Sequence, residues 1–85
     1  MSNIVGKRLK LLRNVGRFSQ KDFANYLGVS IRSYERWEQG LNIPDTNNLI
    51  KMADKLNVNI DFVLGRTDIL MIHYKYIEDY FINLE

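Results

Sequence analysis

The sequence predicts an all-α fold of five short helices, and three observations carry that prediction. Apolar residues recur at three- and four-residue spacing along most of the chain. Ser19, Ser30, Asp45 and Asn59 stand just ahead of these stretches, where helix-capping residues belong. Gly28, Gly40 and Gly65 stand just behind them, where a left-handed residue ends a helix.

The first helix is expected over about Ile4 to Asn14, with Val5, Leu9 and Leu12 forming one stripe. Ser19 with Asp22 three residues on resembles a capping box and starts a second helix at Gln20, which runs to Leu27 with Phe23, Ala24 and Leu27 inward. Ser30 caps a third helix that ends near Gln39 before Gly40. Pro44 and Asp45 open a fourth, with the stripe Leu49, Ala53 and Leu56, and Asn59 caps a short fifth over Ile60 to Leu64. Only Gly28 to Ser30 join the second and third helices, so the two must cross steeply, as in a helix-turn-helix. From Ile69 to Glu85 a strand-like alternation (Leu70, Ile72, Tyr74, Tyr76) competes with a helical spacing (Ile77, Tyr80, Phe81, Leu84), and helix is the preferred assignment. The chain therefore divides into a domain of residues 1–68 and a C-terminal segment, 69–85, for dimerisation or packing.

Eighty-five residues make one domain's worth of chain, too short for a catalytic cleft between two lobes. With 46% hydrophobic and 26% charged residues it has the composition of an ordinary globular domain. There is no cysteine to build a disulfide or a thiolate metal site. No apolar run is long enough to cross a bilayer and no signal peptide is evident, so a cytoplasmic protein without a membrane partner is expected. The net charge is only +2, but Met1 to Gly40 carry eight basic and three acidic residues, and the remainder is net acidic. That first half is suited to a polyanion, although a basic face is also simply solvated in many proteins.

The residue types inside the predicted motif are sterically specific. Ala24 is small where two helices come closest, Gly28 turns the chain, and Phe23, Leu27, Val29, Tyr34 and Trp37 occupy the positions that lock the crossing angle. In these residues, with Arg13, Phe18-Ser19-Gln20, Leu27-Gly28-Val29-Ser30 and Arg36-Trp37-Glu38-Gln39-Gly40, the chain resembles the lambda-repressor-like family, also called the Cro or XRE type. The likeness continues through Pro44, the Leu49 to Leu56 helix and Val58 to Gly65, about three quarters of the sequence in all. The resemblance implies five helices, dimeric binding to a palindromic operator in double-stranded DNA, and control of nearby genes, repression more than activation. Tyr34 departs from it, an aliphatic residue being usual there.

A helix entering the major groove by its N-terminus presents its first turn to base edges. Here that turn holds Ser30, Ile31, Arg32 and Ser33, with Arg36 one turn on. Arg32 is the foremost candidate for specificity, because its guanidinium can pair with N7 and O6 of guanine; otherwise it holds a phosphate or is solvated. Ile31 either meets a thymine methyl or packs beneath the first helix. Arg36 reads a base or holds a phosphate, and Ser30 is a cap more than a reader. Gln20, Arg17, Lys21, Ser33 and Asn42 are candidate phosphate contacts. Arg13 and Glu38 match the family's ion pair between the first and third helices. Phe62, Leu64, Ile72, Tyr76 and Tyr80 are the apolar candidates for a homodimer interface.

No nucleophile with a base, carboxylate pair or metal set is evident, and the lone histidine, His73, lies in the tail. An enzymatic role, a metal and a cofactor are therefore not expected. A competing reading is an antitoxin-type module whose aromatic tail, with Tyr74, Tyr76, Tyr80 and Phe81, grips a protein partner while the domain autoregulates its operon.

Overall fold

The helix starts follow from side chains that accept a backbone N–H. In the computed structural model, which describes residues 3–69, five helices run in order: α1 (Ile4–Val15), α2 (Gln20–Leu27), α3 (Ile31–Gln39), α4 (Thr46–Leu56) and α5 (Ile60–Val63). Ser19 accepts from the Asp22 N–H, Ser30 from Ser33, Asp45 from Asn48 and Asn59 from Asp61, so four of the five N-termini are capped by the residues expected to cap them. Gly28 and Gly40 end α2 and α3 at φ of 76° and 79°, a region closed to most side chains. Helix α4 ends on Asn57 at φ 55°. No strand occurs among the described residues.

Helix α1 packs on α3 and α5, α2 on α3 and α4, and α4 on α5. Between them lie Leu9 and Leu12 of α1, Phe23, Ala24 and Leu27 of α2, Tyr34 and Trp37 of α3, Met52 of α4, and Val58, Phe62 and Val63. An aromatic row crosses this core: Phe18 touches Tyr26 and Phe23, Phe23 meets Tyr34 edge-on at 5.4 Å, and Tyr34 meets Trp37 at 6.3 Å. These contacts join the two helices of the motif through rings that favour tilted and edge-on packing.

The expected stripe of α4 packs on the core through Leu49 and Leu56, both half-buried, and Met52 beside them is the residue that α4 buries fully. One expectation is corrected. Phe62, expected at a dimer surface, is 4% exposed, with Arg8 stacked 4.1 Å over its ring. It belongs to the core, because α5 is one turn long and must bury its largest side chain to hold on to α1 and α4.

Candidate nucleic-acid interface

Helix α3 has a sharply divided surface. Tyr34 and Trp37 face the core, whereas Ile31 and Arg32 are exposed and Ser33 and Arg36 half-exposed. Ile31, at 42% exposure, does not pack beneath α1, so an apolar side chain stands free on the first turn of this helix. Arg32 and Arg36 are four residues apart and therefore share a face. The Ser30 hydroxyl accepts from the Ser33 N–H and donates to the Ser33 hydroxyl, which gives it a cap's duty. Lys21 at the start of α2 and Arg17 in the preceding turn are exposed, Arg17 with φ at 60°.

What fixes α3 is a cluster centred on Glu38. Arg13 donates through Nε to Glu38 Oε2 at 2.7 Å and through Nη2 to Oε1 at 3.2 Å, and its Nη1 donates to the Phe18 carbonyl at 3.1 Å. The Tyr34 hydroxyl donates to Glu38 Oε2, and the Gln20 amide donates to Oε1 at 3.1 Å. The two side chains of the ion pair are 14% and 6% exposed. Burial alone would raise the Glu38 carboxyl, but hydrogen bonds from Arg13, Tyr34 and Gln20 outweigh it and hold the group below its ordinary value. The hydrogen bond to Glu38 likewise raises Arg13, and burial, then Glu38, pushes the Tyr34 phenol up. Glu38, Arg13 and Tyr34 thus keep fixed protonation states near neutrality. Gln20, expected at a phosphate, spends one amide hydrogen on this cluster and retains a second at the start of α2.

After Gly40 the chain folds back along α3. The Leu41 N–H returns to the Arg36 carbonyl at 3.0 Å, and the Arg36 Nε donates to the Asn42 side-chain oxygen. Arg36 and Asn42 thereby border a groove of about 350 Å³ with Ser33, Ile43 and Asn48. Of the remaining interface candidates, Leu64 is half-buried on an apolar groove with Ile4, Val5 and Ile43, and Leu41 and Ile43 beside it are 59% and 61% exposed. Ile72, Tyr76 and Tyr80, like His73 and the rest of the tail from Leu70, lie outside the described residues.

Four residues escaped the sequence reading. Gly6 lets α1 approach α3 so closely that a Cβ there would stand 2.5 Å from the Trp37 carbonyl oxygen and 2.7 Å from that of Glu38. The Asn3 amide donates to the Glu38 carbonyl at 3.1 Å, satisfying an orphan at the end of α3. Lys51 and Lys55 donate to the carbonyls of Gly28 and Tyr26, tying α4 to the turn and to α2. None has a spacing signature, because each depends on where a distant helix lies.

Residues 9–63 match the model of the helix-turn-helix family. Over 62 residues the chain is 36% identical to the Cryptic phage CTXphi transcriptional repressor RstR of Vibrio cholerae, covering 73% of this chain and 55% of that protein. It is 32% identical over 65 residues to the HTH-type transcriptional regulator ImmR of Bacillus subtilis, covering 76% and 51%. It is 29% identical over 82 residues to Antitoxin PezA of Streptococcus pneumoniae, covering 96% and 49%. The chain spans about half the length of these relatives. No solved structure matches it.

Proposed function

The chain belongs to the helix-turn-helix family whose model it matches over residues 9–63, and from that premise we propose that it is a sequence-specific regulator of transcription. It binds double-stranded DNA as a homodimer on a palindromic operator, in the cytoplasm, as a repressor more than an activator and without a cofactor or an enzymatic step. One observation carries this reading. The solvent face of a capped α3 bears Ile31, Arg32 and Arg36, while its other face is locked into the core through Tyr34, Trp37 and the Glu38 cluster. A helix so held can present an arginine fork to guanine and an isoleucine to a thymine methyl. Gln20, Arg17 and Lys21 supply the phosphate contacts that set register, and Leu64 with the tail stripe Ile72, Tyr76 and Tyr80 supplies the twofold contact.

Duplex binding measured at 50 and 200 mM salt tests it. A dimer making 6 to 10 phosphate contacts loses on the order of 10³- to 10⁵-fold in affinity across that range. Affinity indifferent to salt contradicts the proposal.

A second reading rests on the similarity to an antitoxin, which runs over 96% of this chain and so into the segment after Asp68. Under that reading the tail grips a protein partner and DNA binding is autoregulatory. Purified alone, such a protein elutes as something other than a stable dimer and binds DNA tightly only once the product of a neighbouring gene is added.

A further inference from the structure

We propose that Asn42 is a positioning residue for base reading by Arg36, so that α3 and the loop behind it read DNA as one unit. This rests on the reading of the chain as a DNA-binding regulator and goes beyond it, since Asn42 is otherwise a plain phosphate contact.

The loop that carries Asn42 is anchored at both ends. Gly40 in the left-handed region and the Leu41 N–H bonded to the Arg36 carbonyl hold its start, and buried Pro44 with the Asp45 cap of α4 holds its end. Asn42 therefore meets Arg36 from a fixed backbone. Its side-chain oxygen accepts from Nε, and among the described residues neither Nη of Arg36 has a partner. The contrast with Arg13 is instructive, because there all three nitrogens are spent inside the protein. Arg36 is left with its terminal edge, two parallel N–H groups at the spacing that suits N7 and O6 of guanine. Holding Nε also removes rotamer freedom before binding rather than during it.

The partner's chemistry matters as much as its place. A carboxylate at position 42 would orient Arg36 equally well but cancel its charge beside a polyanion. A neutral amide orients without neutralising, so the whole positive charge remains for DNA.

The test is to select duplexes from a random pool with the wild-type chain, then to measure affinity for every single base-pair change in the recovered half-site. Wild type, Arg36→Ala, Asn42→Ala and Asn42→Asp are compared. Arg36→Ala should erase discrimination at one guanine. Asn42→Ala should lower discrimination at that same guanine about 5- to 10-fold, the weaker end of a bidentate contact, with its melting temperature unchanged. Asn42→Asp keeps the acceptor, so the guanine preference survives while affinity falls on every sequence alike. A uniform loss for Asn42→Ala, with preference intact, makes it a phosphate contact and overturns the inference alone. An Arg36→Ala chain with unaltered base preference overturns it as well. A wild-type chain that selects no sequence overturns the underlying reading instead.

Discussion

Glu38 receives donors from three helices, Arg13 from α1, Gln20 from α2 and Tyr34 from α3 itself. A buried ion pair adds little against an apolar replacement, because desolvation offsets most of the attraction, but removing one partner strands the other charge. Glu38→Gln should therefore cost about 3 kcal/mol in unfolding free energy, measured by urea denaturation at pH 7. The pH dependence has a definite sign. The folded chain holds this carboxyl below its ordinary value, so in the interval between the two the unfolded chain binds the extra proton. The contribution is complete above about pH 4.3, the ordinary glutamate value, and is lost as pH falls through the lower, folded one. Glu38→Gln should show a flatter decline over that acid range than wild type; parallel declines would contradict the assignment. Gly6 gives a second residue-scale expectation. Alanine there presses on two carbonyl oxygens of α3 and should cost about 1 to 3 kcal/mol in the same assay. Arg13 and Glu38 were legible as a pair from the motif. That Tyr34, at a position where an aliphatic residue is usual, answers Glu38 was not, since the sequence shows a buried hydroxyl's need for a partner but not the partner.

At the level of elements the sequence was most readable where the signal is local. Ser19, Ser30, Asp45 and Asn59 act on backbone groups two or three residues away, and Gly28 and Gly40 act on their own φ, so their roles need no knowledge of tertiary structure. In α4 the stripe Leu49 and Leu56 was legible, but that Met52 goes deepest was not, because that depends on where α2 and α5 lie. Phe62 was placed at a surface for the same reason. A four-residue helix has too few positions for a period to say which side is covered. The recognition helix offers the clearest element-scale prediction. Ser30→Ala removes the acceptor for the Ser33 N–H and should cost roughly 1 kcal/mol. In a domain of this size that appears as a melting temperature lower by about 4 to 8 °C. Affinity for DNA should fall with it, because the first turn that carries Ile31 and Arg32 frays.

For the whole molecule the arrangement of charge matters more than its sum. Net charge is +2, yet the basic excess lies in residues 1–40, the part of the chain that contains α2 and α3. Not all of that excess is free. Arg13 is committed to Glu38, and Arg8 lies on Phe62 and bonds Asp68 at 2.7 Å. Lys7, Lys10, Arg17, Lys21, Arg32 and Arg36 remain as cations, the last four on or beside α2 and α3. Substitutions should sort accordingly: Lys21→Ala should weaken binding on all sequences and lower the salt slope by about 1 per site, while Arg32→Ala should relax preference at one base pair. Under the proposed function a single α3 reads few base pairs, and the proposed homodimer would place two half-sites about one helical turn apart, ~34 Å. The most direct measurement is selection of bound duplexes from a random pool by wild-type and Arg32→Ala chains. The account predicts a palindrome for wild type and the loss of one conserved base pair from each half-site for Arg32→Ala. Recovery of unselected sequences by the wild-type chain, or an identical palindrome from both, would contradict it.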